Sequence, residues 1–124
     1  MSIRLIYFNV LFLKNKLKSV LMNLSQEEWA SQVSQDPNAI ILDVRTEDEW
    51  NEGFIPNAVS NDIYGGQAFV YRLDELDKTK NIYVYCKSGG RSGQACAVMS
   101  QLGFENVFNL EGGIMNWEGE IALP

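Results

Sequence analysis

Two short apolar runs, "AIILDV" (39–44) and "NIYVYC" (81–86), limit what this chain can become more than any other feature. Each is continuous, without the polar alternation of a half-exposed strand, so each needs cover on both faces. The stretches around them carry helical marks. In "SQEEWASQVSQ", Ser25 and Glu28 stand in capping-box spacing, which starts a helix near Gln26. "TEDEWNEG" repeats the spacing with Thr46 and Glu49, and Gly53 suits its stop. "QAFVYRLDEL" and "RSGQACAVMSQLG" read as further helices, the second ending at Gly103, and "EGGIMNWEGE" as a turn with a short last helix. Strands are also expected at 58–63, after a Pro-Asn turn, and at "NVFNL" (106–110). Strands alternating with helices predict an α/β fold, a parallel sheet of about five strands with helices on both faces. Ligands of such sheets sit at the carboxyl ends of the strands. Cys86 closes one expected strand, and Asp43 and Arg45 stand at the end of another.

A length of 124 residues with 46% hydrophobic and 21% charged residues describes one globular domain with a core of its own. The chain has two cysteines and no histidine. The cysteines match no zinc spacing and no disulfide framework, so a reducing compartment, the cytoplasm, is expected, with no metal and no cofactor. Lack of histidine excludes Cys-His and Ser-His catalysis and every His-ligated metal site. Any nucleophile here must be activated without imidazole.

Charge is uneven. Residues 1–21 hold Arg4, Lys14, Lys16 and Lys18 and no acid, and this +4 leaves −10 on the remainder of a chain of net charge −6. An acidic domain repels phosphate, so no nucleic-acid partner is expected. Residues 1–21 therefore stand apart as an N-terminal extension, with the domain over 22–124. The apolar run of the extension covers about eleven residues and contains Asn9, short of the ~20 a membrane span needs. Its charges mostly follow that run, unlike those of a signal peptide. Ile3, Ile6, Val10, Leu13, Leu17 and Leu21 share one helical face, the pattern of a membrane-surface helix. Packing of this face on its own domain, or translation from Met22, are the simpler expectations and take precedence.

The sequence "VYCKSGGRSGQACAVM" joins the second apolar run to a helix through Cys86, Lys87, Ser88, Gly89, Gly90, Arg91 and Ser92. A thiolate is the reactive form of cysteine, and a helix N-terminus or a cation favours it. The helix starting near Arg91 offers free N–H groups and the positive end of its dipole. Gly89 and Gly90 allow amides to turn inward as an anion nest, and Lys87 and Arg91 add charge. On the loop alone, a reactive cysteine and an inert thiol in a glycine-rich turn are equally supported.

"ILDVRTEDEW", "GFIPNAVS", "VYCKSGGRS" and "GFENVFNLEGGIMNW", in this order, closely resemble the single-domain rhodanese family of sulfurtransferases over roughly residues 24–119. The resemblance implies a rhodanese-like fold with Cys86 as nucleophile and Arg91 closing its loop. Lys87, Ser88, Gly89, Gly90 and Ser92 would form the cradle of a Cys86 persulfide, supported by Asp43 and Arg45. The implied partners are a small sulfur donor such as thiosulfate, or a protein persulfide, and a thiol or cyanide acceptor. Phe54 stands where the family often has histidine, in the segment before Ile55-Pro56. This is expected to alter packing or access more than chemistry.

Other readings apply to several residues. Asp43 suits an ion pair with Arg45, while Arg45 suits that pair and an anionic donor equally. Glu49 suits a pairing with Arg91, but its capping-box position already accounts for it. Cys96 sits in mid-helix and is expected to be a core thiol. Trp29, Trp50 and Trp117 are expected as core anchors. Two rival functions remain. A Cys-based phosphatase or arsenate reductase uses Cys-x5-Arg, one residue more than separates Cys86 from Arg91. A sulfur carrier or regulatory module would keep the cysteine without small-molecule turnover.

Overall fold

A computed structural model describes Ile3, Arg4, Ile6, Asn9, Val10, Leu13 and residues 22–124. The six early residues are helical and exposed. The remaining positions of the expected surface helix, Leu17 and Leu21 included, lie outside the described residues. Among the described residues no helix is long and apolar enough to cross a membrane.

Within residues 22–124 the strands are β1 (Asn23–Leu24), β2 (Ile40–Asp43), β3 (Val59–Ser60), β4 (Asn81–Tyr85) and β5 (Asn106–Leu110). The helices are α1 (Gln26–Gln35), α2 (Glu47–Asn51), α3 (Gln67–Leu73) and α4 (Gly90–Gln101), with 3-10 turns at Ile63–Gly65 and Ile114–Asn116. The five strands form one sheet in the order β1-β5-β4-β2-β3, every pair parallel. The expected fold class is the observed one.

Alternation along β4 divides the core. Ile82 and Val84 point to one face, where they meet Leu42, Val107 and the α3 and α4 residues Phe69, Leu73, Ala95, Cys96 and Met99. Tyr83 and Tyr85 point to the other, where they meet Trp29 of α1, Ile41, Ile55 and Leu110. Trp29 makes T-shaped contacts with Tyr83, Tyr85 and Trp117 at centroid distances of 5.9, 6.2 and 5.5 Å. Both faces are covered, which is why β2 and β4 contain unbroken apolar runs.

The helix starts follow the capping signals. Ser25 accepts from the Glu28 N–H, and Thr46 and Glu49 form the reciprocal box. Two expectations need correction. The strand expected at 58–63 is only Val59–Ser60, because Asp62 accepts from the Tyr64 N–H and draws the chain into a 3-10 turn. The other is the start of the sheet, where the sequence predicts no strand and the edge strand β1 is found. It has two residues and no periodicity, and it is recognisable only through its register on β5, Asn23 beside Asn109 and Leu24 beside Leu110.

Candidate active site

β4 ends at Tyr85, so Cys86 is the first residue past the sheet's carboxyl edge. The chain then turns through Lys87 and Ser88 to Gly89, whose φ of 107° is left-handed and caps α4. A side chain there would be strained. A second turn supports the first: the Ile114 N–H donates to the Cys86 carbonyl at 2.9 Å and the Met115 N–H to that of Lys87 at 3.0 Å. Gly113 permits this contact, since a Cβ there would run into the Lys87 carbonyl.

The sulfur of Cys86 is 1% exposed as part of its residue and faces the start of α4. The Gly89 N–H donates to it at 3.1 Å, and Ser92 Oγ stands 3.2 Å away. Burial alone pushes the thiol up and is the largest single influence. The Ser92 side chain and the amides of Ser92, Gly89 and Ser88 outweigh it, so the net shift is below the ordinary thiol range. Backbone dipoles and a helix start thus favour the thiolate without imidazole.

Arg91 turns away from pure solvent to Glu49 of α2. Nη1 donates to Oε1 at 2.6 Å and Nη2 to Oε2 at 2.9 Å, a bidentate pair. The same Oε1 accepts from Thr46, so Glu49 performs both tasks that the sequence set against each other. The capping role does not displace the pairing, because a carboxylate has acceptor sites for both. The pair joins the N-terminal ends of α2 and α4, and the Tyr64 ring lies 5.8 Å from the guanidinium carbon. The Arg91 hydrogen bonds hold the Glu49 carboxyl down, from 4.5 to about 2. A depressed carboxyl contributes stability above its unfolded pKa and loses it as pH falls through its folded one. The stability difference between the native chain and Glu49→Gln is therefore expected to stay constant above pH 4.5 and to vanish toward about 2. Urea melts across that range measure it; a difference already gone at pH 4.5 would refute the pairing.

Asp43 and Arg45 sit at the end of β2, not on the loop. Both are buried, and Arg45 Nη2 reaches Asp43 Oδ2 at 2.7 Å. The rest of the guanidinium faces the carbonyls of Glu49 at 3.2 Å and Gly53 at 2.7 Å. At 4% exposure Arg45 presents almost no surface to an incoming anion, so its position is that of a strut. Phe54 stacks on Trp50 at 3.8 Å, and its backbone pairs with Ala122. Cys96 is buried in the core, and burial pushes its thiol up to about 12. Both cysteines are free.

Sequence reasoning missed a buried group behind Ser92. Asn109 of β5 is 3% exposed and lies within hydrogen-bond distance of Ser92, Gly89 and Asn23. Its signal was present: a polar residue between Phe108 and Leu110 near the carboxyl end of β5. Among the described residues, no group of three or more His, Cys, Asp or Glu could hold a metal ion.

Comparison with known proteins adds four findings. The family model for the Rhodanese-like domain matches residues 26–120. A sulfurtransferase of Allochromatium vinosum is 33% identical over 94 residues, 76% of this chain and 85% of that protein. A tRNA uridine(34) hydroxylase of Legionella pneumophila is 40% identical over 97 residues, but the match spans only 38% of that longer protein. In structure, the rhodanese-like domain of an Anabaena sp. protein superposes with a TM-score of 0.73 at 29% identity, covering 83% of this chain and 80% of that one.

Proposed function

The chain belongs to the rhodanese-like family of sulfurtransferases, and from that premise we propose that it moves a sulfane sulfur through a persulfide on Cys86. The observation that supports this reading is the ring of backbone amides and the Ser92 side chain around the Cys86 sulfur, an activation that needs no histidine.

The thiolate of Cys86 attacks the outer sulfur of a donor such as thiosulfate. The donor S–S bond breaks, and sulfite leaves with the electron pair. Cys86 then carries the sulfur as a persulfide, whose negative charge lies at the positive end of α4. An acceptor thiolate or cyanide attacks that outer sulfur, and the electron pair of the broken bond returns to Cys86. The cycle is ping-pong and related to thiol–disulfide exchange. Arg91, tied to Glu49, fixes the closing end of the loop. The four residues between Cys86 and Arg91 give a smaller ring of amides than Cys-x5-Arg phosphatases use, which suits sulfur better than a tetrahedral oxyanion.

Mass spectrometry after donor exposure tests the proposal. A gain of about 32 Da, one sulfur atom, is expected on the peptide holding Cys86 and not on that holding Cys96. No adduct from thiosulfate, mercaptopyruvate or a protein persulfide would refute it. Loading by the protein persulfide alone would assign the chain as a sulfur carrier.

A further inference from the structure

Four apolar residues near the start of the chain stand outside the sulfur site, uncovered by the domain. Ile3, Ile6, Val10 and Leu13 are helical, and they are 86%, 49%, 59% and 63% exposed. At 3.6 residues per turn these positions fall within about 80° of one another around the helix axis. Arg4 is exposed as well and stands nearly opposite their midline. The expected packing of this face on its own domain does not hold for these four side chains. Translation from Met22, the other simple expectation, would remove the stripe rather than cover it. In the chain that carries the stripe, cover comes from outside, from a lipid surface or a second copy.

Charge decides between them. Residues 1–21 hold Arg4, Lys14, Lys16 and Lys18 and no acid. Two such segments face to face would set like charges against each other. An anionic bilayer offers apolar depth to the stripe and countercharge to the basic residues at one boundary. We propose that residues 1–21 dock the protein on an anionic phospholipid bilayer, with Ile3, Ile6, Val10 and Leu13 entering the acyl boundary and the basic residues at the headgroups. The apolar run covers about eleven residues, so it lies along the interface rather than across it. Four apolar side chains make a reversible anchor. The whole chain, at −6, should be repelled by an anionic bilayer, whereas the +4 of the extension should be attracted. Charges more than a Debye length apart, about 8 Å at physiological salt, act separately, so the extension can bind while the acidic domain stands off.

Co-sedimentation of the full chain with vesicles tests the proposal. Partitioning onto mixed phosphatidylglycerol–phosphatidylcholine vesicles is expected to exceed that onto phosphatidylcholine alone by about tenfold or more. It should fall steeply when salt shortens the Debye length to about 3 Å. The full-length variant Ile6→Asp with Val10→Asp is expected to lose about tenfold or more of the partitioning. Its urea midpoint should match that of the native chain, because both side chains are exposed. Failure to sediment with the mixed vesicles overturns the proposal, as does equal sedimentation of native chain and variant. Equal binding to both kinds of vesicle overturns the choice of an anionic surface. A lipid-free dimer in sedimentation velocity, lost in the same variant and without vesicle binding, assigns the face to a second copy and overturns the membrane. None of these readouts depends on sulfur transfer, so absence of a persulfide on Cys86 would refute the proposed function and leave the partitioning unaffected.

Discussion

Cys86→Ser is expected to lose sulfur transfer by a factor on the order of 10³ or more while the fold remains intact. Cys86 lies in a loop whose shape comes from the backbone, through Gly89, Gly113 and the bonds from Ile114 and Met115 to residues 86 and 87. The Gly89 N–H donates to the sulfur, but the turn at Gly89 and Gly113 and the bonds from Ile114 and Met115 are made by the backbone, so the smaller hydroxyl leaves the scaffold in place. The chemistry does not survive. The site lowers a thiol below its ordinary range, and a serine hydroxyl begins many units higher, with no histidine in the chain to remove its proton. Oxygen also cannot carry the sulfane sulfur as a persulfide. Thiocyanate formation from thiosulfate and cyanide measures the loss, and a denaturant midpoint close to that of the native chain shows that folding is unaffected. Turnover within tenfold of the native chain would remove Cys86 from the mechanism.

Why Cys86 was legible and Asn109 was not follows from what each needs. The nucleophile is local: a strand end, small residues and a helix start lie within one stretch, and every amide that reaches the sulfur is within six residues of it in sequence. The doubly covered sheet is legible for a similar reason, since buried parallel strands must be apolar throughout. Asn109 belongs to a contact that sequence distance hides. Its partners Ser92, Gly89 and Asn23 come from two other elements, and only the β1-β5-β4 order brings them together. The strand β1 is hidden too, because two residues carry no period. Glu49 shows a different difficulty. A capping box accounts for its position in full, yet one carboxylate has room to accept from both Thr46 and Arg91. A sufficient local reason for a residue did not exclude a second, long-range one.

Asp43→Ala is expected to cost stability out of proportion to its size, about 3–5 kcal/mol. The side chains of Asp43 and Arg45 are 1% and 5% exposed. The Asp43 carboxylate accepts from Arg45 Nε at 3.1 Å, from Nη2 at 2.7 Å and from the Arg45 N–H at 2.9 Å. Taking the carboxylate away leaves a guanidinium in the interior facing the Glu49 and Gly53 carbonyls and the Tyr85 ring, without the charge that neutralised it. A domain of this size is stable by only about 5–15 kcal/mol, so roughly a fifth or more of its margin is at stake. The damage also has a direction. Arg45 fastens the end of β2 to α2, and α2 carries Glu49, which holds Arg91 against the loop. Loosening the buried pair should therefore slow sulfur transfer before the domain unfolds, although neither residue meets the sulfur. The double variant Asp43→Val with Arg45→Met removes both charges and keeps apolar volume, so it should recover much of the stability. It should not recover the rate in full, because the bonds to the Glu49 and Gly53 carbonyls stay lost. Urea midpoints of the single and double variants, measured with turnover, separate these effects. A single variant within about 1 kcal/mol of the native chain would mean that water reaches Arg45 and that the pair is not a strut.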